Sequence, residues 1–385
     1  MGPMPAVRAA GDSVDTDEVR RAALQAGLDA VGVASAEPFE DTREAIERRR
    51  EQGLHGGMAF TFRNPARSTD PRQTLPGAQA LVVGALGYVD PPAPAPPTGV
   101  PAGRVAKYSW TDHYATLRAA LGEVAELLKA RGWKAVVVAD DNALVDRAAA
   151  HRAGLGWFGK NANLLLPGQG SWFVLGSVLT DAPLDPDATT VPDGCGSCTR
   201  CLDGCPTAAI IEPGVVDARR CLAWLVQAPG TFPREHREAL GDRIYGCDDC
   251  QEVCPPNRRA LRLHDVDTSE ETDVEAWVPL LELLDSSDEQ LLARHGRWYI
   301  PRREPSYLRR NALLALANTA APADSDVVRA VAEALHHPEP VVRAHAVWAA
   351  RRLGHPELLG AVADDADAMV REELEAPAPT RRATP

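Results

Sequence analysis

The chain has 385 residues, 45% of them hydrophobic and 25% charged, with 41 Lys and Arg against 54 Asp and Glu for a net charge of -13. That composition is ordinary globular material, enough for two or three domains, and it excludes collagen-like, disordered and membrane-embedded classes. The acidic balance also argues against a generic nucleic-acid coat, because affinity for phosphate comes from Lys and Arg.

The first residues, Met1 to Asp15, have neither a basic start nor an apolar run, so the segment 1–15 is expected to be a disordered tail and the protein cytoplasmic. Residues 16–185 alternate helical and strand patterns, which predicts an α/β domain. An amphipathic stretch from Thr16 to Gly27 precedes a strand from Asp29 to Val33, and Leu81 to Leu86 reads as a second buried strand. The segment 91–103 carries six prolines and is expected to be an exposed loop. A helix from His113 to Ala130, a strand from Ala135 to Ala139, a helix ending near Gly154 and a strand from Trp172 to Leu179 follow.

The next segment, 186–265, holds all eight cysteines of the chain. Cys195, Cys198, Cys201 and Cys205-Pro206 follow the ferredoxin spacing, in which three thiolates bind one [4Fe-4S] cluster and the fourth reaches a second cluster. Cys247, Cys250 and Cys254-Pro255 repeat it, except that Ile244 occupies the first position and Cys221 stands as the substitute. The count closes with Cys195, Cys198, Cys201 and Cys254 on one cluster, and Cys205, Cys221, Cys247 and Cys250 on the other. Two structural zinc sites would also use four thiolates each. Three cysteines within seven residues, with Cys-Pro closing both runs, are the iron-sulfur pattern.

Residues 266–375 are expected to form a helical domain, and beyond Pro305 the chain becomes rich in Ala, Leu and Arg. Leu308 to Leu316 aligns with Val342 to Ala350 at an offset of 34, which Pro322 and Pro356 keep. A HEAT-like helical domain packed on the cysteine module is expected, followed by a disordered tail, 376–385.

Other candidate sites are weaker. Gly154 to Lys160 approaches a phosphate-binding loop, but Asn161 replaces its Ser or Thr and the loop follows a helix. A glycine turn whose backbone nears another ligand is the alternative. Asp140 and Asp141 follow a strand and precede a helix, a place that suits capping of that helix or, where one carboxyl is kept protonated, a general acid. Arg294, Arg297, Arg302, Arg303, Arg309 and Arg310, interleaved with His295, Trp298, Tyr299 and Tyr307, suit phosphate contacts and base stacking as well as an ordinary solvated face. His113 and His151 sit in no metal-ligand spacing and are expected to be structural.

In combination, Ala153 to Asn161 preceded by Asp140, Gly170 to Phe173, the first cysteine run and Tyr245 to Gln251 with Val253-Cys254-Pro255 resemble the epoxyqueuosine reductase family over roughly residues 16–320. The resemblance implies a nitroreductase-like α/β domain that binds cobalamin, a double [4Fe-4S] module and a HEAT-like domain. It also implies reduction of epoxyqueuosine to queuosine at the wobble base of tRNA, with electrons passing through two clusters to cobalamin. Asp140 falls on the family's proton donor, and Arg63, Asp140, Lys160, Asn161 and Ser171 on segments lining the cobalamin site. Arg297, Arg302, Arg303, Arg309 and Arg310 then become tRNA contacts.

Three departures stand out: Asn142-Ala143 where the family has Gly and Pro, Ala223-Trp224 after Cys221, and the insertion from Pro91. With no flavin or nicotinamide motif, a separate low-potential donor is expected, and the protein is expected to act as a monomer without a membrane. The rival functions are a cytoplasmic cobalamin-dependent reductive dehalogenase, which shares the cofactors, and a non-enzymatic iron-sulfur electron carrier, which has little use for the α/β domain.

Overall fold

The structure, a computed structural model, describes residues 14–89, 94–187, 190–263 and 274–379. Most of the two expected tails and the 265/266 domain boundary lie outside those residues. Within them, Val14 is buried, Asp15 caps the first helix and the Ala376 carbonyl accepts from Arg351, so these residues belong to the fold.

Four strands form the main sheet in the order Ala30–Ser35, Ala80–Gly87, Phe173–Thr180, Ala135–Val138. Every pairing is antiparallel. Helices cover both faces, so the central strand Ala80–Gly87 is buried along most of its length and reads as a continuous apolar run. On one face, Ala80, Val82 and Val178 pack with the helices Thr16–Gln25 and His113–Ala130. On the other, Leu81, Val83 and Leu179 pack with Ile46 and Ala148 to Ala150.

His113–Ala130 forms where its sequence dictates. The Asp112 carboxylate accepts the Ala115 N–H at 3.0 Å, and Leu117, Leu121, Val124 and Leu128 recur at helical spacing. All four are fully buried, each leucine contributing about 2 kcal/mol by removal from water. Gly132, at φ +83°, provides the left-handed turn that ends the segment.

A second, three-stranded sheet was not foreseen. Ala102–Val105, at the end of the proline-rich segment, pairs in parallel with Arg243–Tyr245 and antiparallel with Trp277–Pro279. It stitches the α/β layer, the cysteine segment and the start of the C-terminal region together. Gly103 is required there, since a Cβ would lie 2.4 Å from the Ile244 side chain.

The two echoing segments lie on the helices Ser306–Thr319 and Pro340–Leu353, which pack against each other, and Met369 to Arg371 lies on Ala368–Glu375. One continuous core joins these helices to Leu222, Leu225, Phe232 and Leu240 of the cysteine segment. That shared core explains how so few repeats are held in place.

Candidate functional site

Asp140 leaves the strand Ala135–Val138 at φ +53°, a left-handed conformation that Asp and Asn tolerate better than other residues. The two adjacent carboxylates divide the roles that the sequence left open. Asp141 accepts the Ala143 N–H at 2.7 Å and holds the turn, while Asp140 is exposed and its carboxyl takes no hydrogen bond from a described residue. Although exposed, Asp140 is partly desolvated by the protein around it. The loss of water there pushes its carboxyl above the ordinary value, the Arg118 guanidinium opposes the shift, and Asp141 adds to it.

The charge of Asp140 is felt by Tyr108, Tyr114 and Tyr245, and Tyr245 lies two residues before Cys247. Asp140 therefore stands within electrostatic reach of the start of the cysteine segment. Tyr108, Tyr114 and Arg118 carry no sequence signal beyond lying near or on a helix, and only the folding of the chain brings them to Asp140. Asp146, behind the loop, is held far above the usual carboxylate range by burial first and by Asp140 second, while the Asp140 N–H favours its charged form.

The eight thiols are all free and partly buried. Their electrostatic neighbourhoods fall into two groups. Burial pushes Cys254 up to about 11, and the thiols acting on it are Cys195, Cys201 and Cys198. Burial likewise raises Cys250, on which Cys221 and Cys205 act, with a smaller influence from Cys201. Cys247 is raised by burial and by Asp249, to which its thiol donates at 3.1 Å. Among the described residues no three of His, Cys, Asp and Glu lie close enough to hold a single metal ion.

The joint between the α/β layer and the cysteine segment consumes several residues expected at the cofactor. The Ser171 hydroxyl accepts from Asn257 at 2.9 Å and from Gln251 at 3.1 Å, and its N–H donates to Asn257 at 2.6 Å. Lys160 Nζ donates to the Gly196 carbonyl at 2.6 Å. Asn161 is buried, with its amide 3.5 Å from the Cys250 carbonyl and its oxygen on the Asn163 N–H. These three spend their polar groups on the joint, whereas Arg63 and Asp140 keep theirs free. Trp224, one of the departures, adds to the joint by donating to the Gly56 carbonyl at 2.9 Å.

The joint is tight enough to test. A Cβ at Gly170 would fall 2.0 Å from Asn257 Oδ1, and the residue sits at φ +64°. Gly170→Ala is expected to cost about 3 kcal/mol, from overpacking and from a left-handed conformation that alanine resists. A thermal melt of the cluster-loaded protein checks this; an unchanged Tm would mean that the joint yields.

Of the five arginines expected to contact RNA, three are engaged within the protein. Arg310 is fully buried, donates to the Leu225, Val226, Ala228 and Gly230 carbonyls, and is pushed down to about 9 by burial. Arg309 is buried against Asp288 and the Ser286 carbonyl. Both are therefore removed from the expected RNA contacts. Arg297 binds the Trp110 carbonyl and Glu275, leaving exposed Arg302 and Arg303 as the members nearest to solvent. His295 and Trp298 stack at 4.4 Å in the interior.

The family model for the 4Fe-4S double cluster binding domain matches residues 194–257, and that for HEAT repeats matches 299–376. Epoxyqueuosine reductase of Bacillus cereus is 36% identical over 335 residues, covering 85% of this chain and 86% of the relative. A crystal structure of epoxyqueuosine reductase with an epoxyqueuosine-modified tRNA-Tyr stem loop superposes with a TM-score of 0.83 at 31% identity, covering 93% of this chain and 96% of that one. A structure of the Bacillus subtilis enzyme, in which the catalytic aspartate loop is swung out of the active site, matches with the same TM-score and coverage at 32% identity.

Proposed function

The chain belongs to the epoxyqueuosine reductase family, and from that premise we propose that it reduces epoxyqueuosine to queuosine at the wobble position of tRNA. The observation that carries this reading is the match of the chain to a solved reductase-RNA complex along nearly its whole length, with Asp140 in electrostatic reach of Tyr245 beside the cysteine run. A proton source and a double-cluster module in one chain are what removal of an oxygen atom needs. The net change takes two electrons and two protons, converts the epoxide to an alkene and releases its oxygen as water.

The proposed ligand sets are Cys195, Cys198, Cys201 and Cys254 for one cluster, and Cys205, Cys221, Cys247 and Cys250 for the other; the two groups of interacting thiols support this division. Cys254→Ala is expected to lose the cluster built on the first run, although Cys254 belongs to the second. Iron analysis should fall by about half and the other cluster's signal should persist. Loss confined to the cluster of Cys247 and Cys250 would overturn the crossed assignment.

Cobalamin would be held beside Asp140 on a nitroreductase-like layer, where the Arg63 guanidinium and the Asp140 carboxyl bond no described residue. Lys160, Asn161 and Ser171 then brace the wall from behind. When bound, cobalamin supplies a strongly reducing cobalt centre able to break the epoxide carbon-oxygen bond. Asp140 is the proton donor to the departing oxygen, and desolvation shifts its carboxyl in the direction that favours the acid form. Electrons come from an external low-potential donor, and the protein works in the cytoplasm as a monomer.

The test is anaerobic incubation of the purified protein with epoxyqueuosine-containing tRNA, cobalamin and a low-potential reductant, followed by digestion and mass spectrometry. Cobalamin-dependent loss of one oxygen atom from the nucleoside is expected. Intact clusters with no conversion, or turnover of a halogenated phenol in place of RNA, would sink the reading.

A further inference from the structure

The cysteines lie at two depths. Cys195 and Cys198 sit in a loop whose Gly194, Gly196, Ser197 and Thr199 are all exposed. Burial raises the thiols of Cys221, Cys247 and Cys250, so the second group lies inside, with Tyr245 two residues from Cys247.

The surface around the outer group is basic. Cys254, whose thiol feels Cys195, Cys201 and Cys198, is followed directly by the helix Pro255–Leu263, which carries Arg258, Arg259 and Arg262 and no acid. Asn257 and Ala260 are buried and Leu261 packs on the α/β core, so at helical spacing the arginines and Leu263 fall on the opposite face, in solvent. Leu263 is 65% exposed. Arg200, on the short helix Arg200–Asp203 between Cys198 and Cys205, is exposed as well. A Cβ at Gly204, just past that helix, would lie 3.1 Å from the Val253 side chain, so the two segments touch.

Arg258 Nε donates to the Glu252 carbonyl at 3.1 Å, while the guanidinium groups of Arg200, Arg259 and Arg262 bond no described residue. The acids beside them are engaged elsewhere: Glu252 with Arg104 at 3.3 Å, Asp203 with the Thr199 hydroxyl at 2.9 Å, and Asp193 with the Cys195 N–H at 2.9 Å. In a chain of net charge -13, this face presents cations and a bare leucine next to surface thiols. Opposite charge speeds encounter, and redox partners meet through small, short-lived interfaces.

We propose that the solvent face of Pro255–Leu263, together with Arg200, is the docking surface for an acidic electron-carrier protein that delivers electrons at Cys195, Cys198, Cys201 and Cys254. The proposal rests on the reading of these cysteines as cluster ligands, and it adds where electrons enter and what chemistry the partner carries. Each docking oxidises the carrier by one electron and reduces the cysteine module by one, so two dockings supply one epoxide.

The probe is flavodoxin, a small acidic flavoprotein, with the cluster-loaded full chain. Calorimetry measures binding of the oxidised carrier, and stopped-flow absorbance follows cluster reduction by the reduced carrier. The double variant Arg259→Gln with Arg262→Gln is expected to weaken binding and to slow reduction about tenfold each at low salt, with the difference vanishing at high salt. Arg259→Lys with Arg262→Lys should keep both. Reduction by a viologen, a small mediator that needs no docking, should match the wild type in every variant. Unchanged flavodoxin affinity in the glutamine variant, or an equal slowing with the viologen, would overturn the proposal.

Other occupants give other results. Residues 264–273, which follow the helix and lie outside the described residues, carry five acids. If the wild type binds flavodoxin only after those acids are neutralised, the face is covered by the chain's own segment and the proposal falls. It also falls if the glutamine variant loses affinity for an anticodon stem loop and none for flavodoxin. Flavodoxin docking with the expected dependences, in protein that never converts epoxyqueuosine, would instead sink the proposed function and leave the docking surface standing.

Discussion

Asp140→Asn should lower turnover of epoxyqueuosine-containing RNA by about 10²- to 10⁴-fold, the range that a positioned acid contributes. Asparagine is the informative substitution. It tolerates the left-handed φ of +53° as aspartate does, whereas alanine there would add backbone strain of about 1 kcal/mol and confound the result. The carboxyl of Asp140 takes no hydrogen bond from a described residue, so the amide breaks none. Cluster absorbance and stem-loop affinity should therefore match the wild type, leaving the loss in kcat. The pH profile separates an acid from a spectator. The step needs the protonated carboxyl, and desolvation raises its pKa against the pull of Arg118, so the wild-type rate should fall as pH rises through that value. The Asn variant should lack that limb. A variant retaining full turnover with intact clusters would remove Asp140 from the chemistry.

Most of what was legible in the sequence was local. The helix His113–Ala130 was read to its ends because an N-cap, a helical apolar period and a terminating glycine agree within twenty residues. The cysteine pattern was equally direct, since ligand spacing is a property of the chain itself. The pairing of the sheet was not legible in the same way. Strands separated by helices suggest crossovers, yet every ladder in the main sheet is antiparallel, a fact fixed by which distant strands meet rather than by any one segment.

The strand Ala102–Val105 was hidden for a related reason. It has four residues, contains Gly103, closes a proline-rich stretch, and is defined by partners far along the chain. The arginines around position 300 show a further limit. Their spacing is that of a basic face, but Arg310 lies inside a helix packed on both sides, where backbone carbonyls of the cysteine segment take the place of water. Composition reports charge without reporting depth. Ser171 and Asn161, which match a cofactor-lining motif, also bond across a domain joint that no local pattern announces.

That joint has a counterpart on the far side of the cysteine segment. Arg237, on the helix Arg234–Leu240, donates to Glu373 Oε1 at 2.9 Å, and the two side chains are only 1% and 4% exposed. Glu373 lies on the final helix Ala368–Glu375, so the pair fastens the last helical repeat to the cluster module. Removing two charges from water is costly, and burial accordingly lowers the Arg237 pKa while Glu373 raises it. The consequence is asymmetric. Arg237→Met would leave Glu373 buried with only the half-exposed Arg234, 3.0 Å away, as a counterion, and should destabilise the protein by about 3–5 kcal/mol. The double substitution Arg237→Met with Glu373→Leu, which removes both charges at similar volume, should recover most of that loss. Thermal melts of the single and double variants measure the difference, with the single variant expected to melt about 10 °C lower. If the double variant were as unstable as the single, the bond from Arg237 Nε to the Phe232 carbonyl at 2.9 Å, rather than the ion pair, would be what holds the repeat to the clusters.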